Sequence, residues 1–145
     1  MVYFDTNYIL KCYLNEENSA DVLALAQGFP AGEIACCRHG RAEWHTGIHR
    51  AIYKNLLSPA DAALLYAQMN QDEQNGLWNW LPIDDALVDI VCAEMLIFDH
   101  GLNLSGMDAI HLACARHHGI TDVYTHDDEM LVAAPHFALV GHDVL

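Results

Sequence analysis

The sequence predicts an α/β fold, with a mostly parallel sheet buried on both faces between layers of helix. Three observations lead there. Short apolar runs alternate along the chain with longer helical patterns. The 145 residues match one ordinary domain, and 53% hydrophobic against 18% charged residues are enough to build a packed core. Acidic residues stand directly after two of the strand-like runs, at the carboxyl ends where such sheets place their sites. We therefore expect a single domain spanning residues 1–145.

Taken in order, Val2-Tyr3-Phe4 is an apolar run ending at Asp5 and reads as a buried strand, after which Thr6 to Leu14 reads as a helix. Ser19 is a candidate cap for a second helix, Ala20 to Gln27, which stops before Gly28 and Pro30. Glu33 to Cys37 is the next strand candidate. A long helical pattern follows from Arg41 to Leu57, with Trp44, Ile48 and Ile52 four residues apart on one face. Ser58-Pro59-Ala60-Asp61 combines a capping Ser, Pro at the first helical position and an acid three residues after the cap, so a new helix should run to Asp72. Leu77 to Ile83, rich in Trp and Leu, reads as a strand, and Asp84 as the cap of a helix through Phe98 that Gly101 closes. Met107 to His118 is a strongly apolar helix closed by Gly119. Asp122 to Thr125 is a strand leading into the acidic turn His126 to Glu129, and a short helix (130–134) and a last strand (138–140) complete the order.

Composition narrows the function classes. The longest apolar stretches fall short of the roughly 20 residues that span a bilayer, and the N-terminus lacks a basic region followed by an apolar core, so a cytoplasmic protein with no membrane association is expected. The five cysteines (Cys12, Cys36, Cys37, Cys92, Cys114) are odd in number and lie in apolar segments, the pattern of reduced, buried thiols. Six Lys and Arg against 20 Asp and Glu give a formal net charge of −14, which repels nucleic acid at long range. Bound divalent cations would cancel part of that charge, and a basic partner or a dimer could supply positive surface.

Four segments offer an acid among residues that look packed rather than solvated. Asp5 stands at a strand end, where it can serve as a ligand or as a helix cap. Glu43 lies between Ala42 and Trp44 near a helix start, and taken alone it reads better as a first-turn partner of the helix dipole than as a ligand. Asp108 is set in the core-like run Met107-Asp108-Ala109-Ile110-His111-Leu112, where an unpaired buried carboxylate needs a partner, a cap role or a metal. Asp127 is the inner acid of the turn Asp127-Asp128-Glu129, with Asp128 as an auxiliary. Hard ions such as Mg²⁺ and Mn²⁺ take a few carboxylates plus waters and phosphate oxygens, and a metal so held turns bound water into a nucleophile for phosphodiester cleavage.

These motifs, in this order, resemble a PIN domain of the VapC-like toxin ribonuclease type. Asp5-Thr6-Asn7 resembles the family's opening Asp-Thr-Asn/Ser, Ala42-Glu43 its mid-chain Glu, Asp108-Ala109-Ile110-His111-Leu112-Ala113 its Asp-Ala-x-His-Leu-Ala run, and Thr125-His126-Asp127 its Thr-x-Asp turn. The resemblance implies a Rossmann-like three-layer sandwich, Mg²⁺ or Mn²⁺ held by Asp5, Glu43, Asp108 and Asp127, and endonucleolytic hydrolysis of RNA. It also implies that Thr6, Asn7 and Thr125 orient ligands or waters, with Asp128 as auxiliary. The partners it implies are an RNA substrate, a basic antitoxin protein and a second copy in a homodimer. A catalytically inactive PIN module that binds protein or RNA is the alternative.

The remaining motifs carry less. His45 and His49 stand four apart and could share a metal, but no Cys pair at finger spacing accompanies them. His111, three residues beyond Asp108, is expected to hydrogen-bond within the core, and Trp44, Trp78 and Trp80 to fill core or interface. A phosphorylated receiver would need an early acidic pair and a late Lys, and neither is present.

Overall fold

The computed structural model describes residues 1–144. Five parallel strands form one sheet in the order β3-β2-β1-β4-β5, built from β1 (Val2–Phe4), β2 (Ile34–Cys37), β3 (Trp78–Leu81), β4 (Asp122–Tyr124) and β5 (Val140–His142). Tyr3 pairs with Ala35 on one side and Val123 on the other, so β1 is central. Tyr3, Phe4, all four residues of β2 and Val123 are buried, as a sheet covered on both faces requires.

Seven helices connect the strands: α1 (Thr6–Lys11), α2 (Ser19–Gln27), α3 (Arg38–Tyr53), α4 (Pro59–Gln74), α5 (Asp85–Ile97), α6 (Gly106–His117) and α7 (Asp128–Ala133), followed by a 3-10 turn at Ala134–Phe137. From β1 the chain builds outward through β2 to β3, then crosses back to β4 on the other flank of β1. That reversal opens a crevice beyond the carboxyl ends of β1 and β4, the position where such sheets hold ligands. Asp5 and Thr125 lie there, and the Asp5 N–H continues the ladder to the Tyr124 carbonyl at 3.0 Å.

Some boundaries differ from the sequence-based reading. Helix α3 begins at Arg38 rather than Arg41, because it leaves β2 directly with Cys37 as an N-cap that makes no side-chain hydrogen bond, and such a start has no local marker. Asn18, with φ of 63°, caps α2 in place of Ser19; Ser19 Oγ instead donates to the Leu14 carbonyl and ties the preceding turn. Helix α1 ends at Lys11, helix α5 ends four residues before Gly101, and β5 begins at Val140, because the 3-10 turn and Ala138 at φ of 57° use up the preceding residues. Ser58 and Asp84 cap α4 and α5 as expected, accepting from the backbone N–H of Asp61 and Leu87.

The core holds Trp44, Tyr3, Tyr8, Phe4 and Phe137 with no exposure, each contributing on the order of 2 kcal/mol of apolar burial. Trp78 is buried and donates to Tyr13 Oη at 2.6 Å, while half-buried Trp80 donates to Glu73 at 2.9 Å. The thiols of Cys36, Cys37 and Cys114 are buried as expected, Cys12 is half-buried, and Cys92 lies exposed on α5, a helix whose only fully buried residue is Leu87. The outer end of α5 presents Leu96 and Ile97 at 84% and 79% exposure, a strongly apolar surface. None of the described helices is long and apolar enough to cross a membrane.

Candidate functional site

Asp5 enters the site because β1 ends there and α1 begins at the next residue. Its Oδ1 accepts from the Tyr8 N–H at 3.0 Å, capping α1, and its Oδ2 accepts from Thr125 Oγ1 at 2.5 Å. Thr125 Oγ1 in turn accepts from the Asp127 N–H at 3.0 Å, tying the ends of β1 and β4 together. Asp5 is only 3% exposed. Burial raises its carboxyl above the usual range, and the hydrogen bonds from Thr125 and the backbone only partly offset this.

Glu43 sits in the second turn of α3, since that helix starts earlier than the sequence suggests, so a first-turn dipole role does not apply. Its Oε2 accepts from Thr6 Oγ1 at 2.6 Å and from His111 Nε2 at 2.9 Å, and His39 Nε2 lies 3.6 Å from Oε1. Burial acts to raise Glu43, but the hydrogen bonds from His111 and Thr6 and the charge of His111 outweigh it and hold the carboxyl at about 2. A carboxylate can only accept, so Nε2 carries hydrogen in either form of the ring. His111 is 3% exposed, and its Nδ1 meets Tyr3 Oη at 2.8 Å, while Tyr3 Oη also accepts from the Cys37 N–H at 2.9 Å. Burial disfavours a charged His111 ring; the contacts with Cys37 and Glu43 outweigh it and raise the histidine. His111 therefore hydrogen-bonds within the core, and through that bond it holds Glu43.

Asp108 occupies the first turn of α6, where Ser105 Oγ caps the helix by accepting the Asp108 N–H at 3.3 Å. The Asp108 carboxylate is half-buried and has no hydrogen-bond or ion-pair partner among the described residues. Asp5, Thr6, Asn7, Glu43, Asp108 and His111 line one cleft of about 190 Å³. Asp127 lies next door: it caps α7 by accepting from the Met130 N–H at 3.0 Å and lines an adjoining groove of about 300 Å³. Asp128 is exposed in the first turn of α7.

The donor set fits a hard divalent cation. It offers oxygen atoms, one carboxylate held ionised by hydrogen bonds, one without a protein partner, and one whose burial leaves its charge uncompensated. Asp5, Glu43 and Asp108 are the residues that could hold such an ion.

The cations near the site had no clear signal as a group. Arg50 lines both the cleft and the groove, and Lys11 and Lys54 line the groove. Two of the other three are spent on acids: Arg41 binds Glu73 at 2.5 Å, and Arg116 binds Glu94. Three of the six basic side chains thus stand at the acidic cleft or the groove beside it. Glu43, Gly47 and Arg50 on α3 and Lys54 at its C-cap recur at spacings of four, three and four, a periodicity that marks one helix face. The pair His45 and His49 shows no shared site; His45 instead stacks on Tyr66 with ring centroids 5.3 Å apart.

Comparison with known proteins bears on this arrangement. The FitAcB structure from Neisseria gonorrhoeae superposes with a TM-score of 0.77 at 22% identity, covering 97% of this chain and 96% of that one. VapC20 from Mycobacterium tuberculosis, a toxin that cleaves the sarcin-ricin loop, gives 0.70 at 17% identity over 92% and 95% of the two chains. VapBC2 from Rickettsia felis, bound to a DNA fragment from its promoter, gives 0.66 at 15% identity over 99% and 98%. No curated protein sequence matches significantly. The model of the PIN domain matches residues 2–134, nearly the whole chain, and the chain belongs to the PIN domain family.

Proposed function

We propose that this protein is a metal-dependent endoribonuclease, the toxin of a toxin–antitoxin pair. The observation that carries the reading is the cleft itself: three carboxylates from three separate elements face one cavity, with Arg50 on its wall. Asp5, Glu43 and Asp108 would hold Mg²⁺ or Mn²⁺, and Asp127 would complete the set from the adjoining groove. When bound, the ion supplies an activated water and neutralises charge on the scissile phosphate.

The chain's own residues do the positioning. His111 and Thr6 both donate to Glu43 Oε2, which keeps the carboxylate ionised and holds it at the cleft wall. Thr125 fixes Asp5 in the same way, and exposed Asn7 lines both cavities. Arg50, Lys11 and Lys54 would grip the phosphates of an RNA strand laid along the groove.

A basic antitoxin suits the net charge of −14. The apolar end of α5 suits a second copy in a homodimer, and the expected compartment is the cytoplasm. The alternative, an inactive PIN module that binds protein or RNA, draws on the same acidic charge.

RNA cleavage in Mg²⁺ or Mn²⁺ by the purified protein tests the reading. Asp5→Asn and Asp108→Asn should abolish cleavage while the far-ultraviolet circular dichroism stays that of the parent. Cleavage at the parent's rate by both variants would overturn it, and failure of either ion to raise the melting temperature would favour the inactive module.

A further inference from the structure

Beneath the acidic cleft lies a second group of donors of different chemistry. Cys36, Cys37 and His111 each offer a ligand atom within 4.8 Å of the others, and all three residues are buried. The strand-to-helix turn makes the cluster. Cys36 and Cys37 are adjacent in β2, where neighbouring side chains would diverge, but Cys37 is also the N-cap of α3. Gly40 clears the space on the helix side, since a Cβ there would lie 2.4 Å from Cys36 Sγ.

The distances are close to those of a tetrahedral site. Cys37 Sγ lies 3.7 Å and Cys36 Sγ 4.0 Å from the same ring nitrogen, His111 Nδ1. With metal–sulfur and metal–nitrogen bonds of about 2.3 and 2.0 Å, the sulfur–nitrogen edge of a zinc tetrahedron is about 3.5 Å. Tyr3 Oη hydrogen-bonds Nδ1 at 2.8 Å, and a metal on that nitrogen would take the place of this bond. The other ring nitrogen of His111 donates to Glu43 Oε2 at 2.9 Å. Metal-ligating histidines characteristically donate their second N–H to a carboxylate, which orients the ring and strengthens it as a ligand.

We propose that Cys36, Cys37 and His111 Nδ1 form a closed site for a thiophilic divalent cation, Zn²⁺, separate from the acidic cleft above it. Binding releases to solvent the protons held by the three donors, on the thiols and on His111 Nδ1, and the two thiolates neutralise the ion in the apolar interior. Because His111 links the two sites, a metal on Nδ1 fixes the ring that holds Glu43. The proposal does not depend on the nuclease reading.

The test uses the full-length protein loaded with Zn²⁺, or with Co²⁺ as a spectroscopic probe, in the presence of excess Mg²⁺. One equivalent should bind, the zinc X-ray absorption spectrum should contain sulfur neighbours at about 2.3 Å, and the cobalt form should show thiolate-to-metal charge transfer. Cys37→Ser and Cys36→Ser should each weaken the charge-transfer band and the double variant should lose it; Cys92→Ser, at the exposed thiol, and Asp108→Asn, in the cleft, should keep it. Oxygen-only coordination in the parent, or a band undiminished in both Cys37→Ser and Cys36→Ser, overturns the proposal. Should neither cysteine variant fold, the coordination spectrum of the parent decides alone. Mg²⁺-dependent cleavage by the parent is measured alongside, so loss of one site leaves the other result standing.

Discussion

Gly40 should be the glycine of α3 that cannot become alanine without cost. In an exposed helix, Gly→Ala stabilises by about 1 kcal/mol, because alanine loses less backbone freedom on folding. At Gly40 the added Cβ would stand 2.4 Å from Cys36 Sγ and 2.8 Å from Thr6 Oγ1, against 3.4 Å or more for ordinary contact. Both neighbours are buried and constrained, Cys36 within β2 and Thr6 by its bond to Glu43. Overpacking of this kind costs about 1–3 kcal/mol. Against the helix gain, the net for Gly40→Ala is destabilisation of about 1 kcal/mol, or a fall in Tm of about 2–4 °C for a chain of this size. Thermal unfolding of metal-free protein in chelator reads it directly. The double variant Gly40→Ala/Cys36→Ala removes the nearest obstruction and should recover most of the loss, so the two changes should be non-additive. Gly47→Ala is the milder comparison, because its Cβ meets only the side-chain carbons of Leu10, at 2.7 Å and beyond, and that side chain can rotate away. A rise in Tm for Gly40→Ala, as at an exposed helix position, would refute the packing described around Thr6 and His111.

Further expectations follow from the same geometry. Asp108→Asn should leave metal-free stability within about 0.5 kcal/mol of the parent, since its carboxylate has no protein partner, while removing Mg²⁺-dependent cleavage. Asp5 carries a pH signature: its folded-state pKa is raised above 3.8, so the folded protein binds more protons, and its contribution to stability is full below 3.8 and lost as pH rises through the shifted value. Metal-free Asp5→Asn should therefore gain stability relative to the parent across that window, as chemical denaturation at a series of pH values would measure, and an unchanged difference would contradict the burial of an ionised Asp5. Tyr3→Phe orphans the buried Cys37 N–H and removes the contact with His111, for a cost of about 1–3 kcal/mol by urea unfolding. Arg50→Ala and Lys54→Ala should raise KM for RNA more than they lower kcat, and each should reduce the salt dependence of binding by roughly one phosphate contact.

Local chemistry made much of this legible. The apolar run Val2–Phe4 followed by Asp5, and Val123-Tyr124 followed by Thr125 before Asp127, mark the ends of β1 and β4, and an acid inside the apolar start of α6 singles out Asp108. Ser58 and Asp84 announced helices because their side chains make the capping bonds. Cys37 and Asn18 begin helices without such bonds, and the starts of α3 and α2 were misplaced accordingly. The chain from Tyr3 through His111 to Glu43 and Thr6 joins residues as far as 108 positions apart, and only the folded sheet brings them together. The thiol pair was legible as core filling but not as a cluster, because its partner His111 comes from a helix 74 residues beyond Cys37.

Asp5 and Asp108 share a cleft but are bound to the rest of the molecule very differently. One of the Asp5 oxygens starts α1 and the other fastens β1 to the β4 end, whereas Asp108 is held by nothing but its own backbone. If the proposed function holds, a lineage shedding the activity while keeping the domain has an open route through position 108 and a narrow one through position 5, where only a residue that also caps a helix and accepts from Thr125 is free of penalty. An aspartate at position 5 in a relative would thus speak to folding as much as to chemistry, while the residue at position 108 would report whether the chemistry has survived.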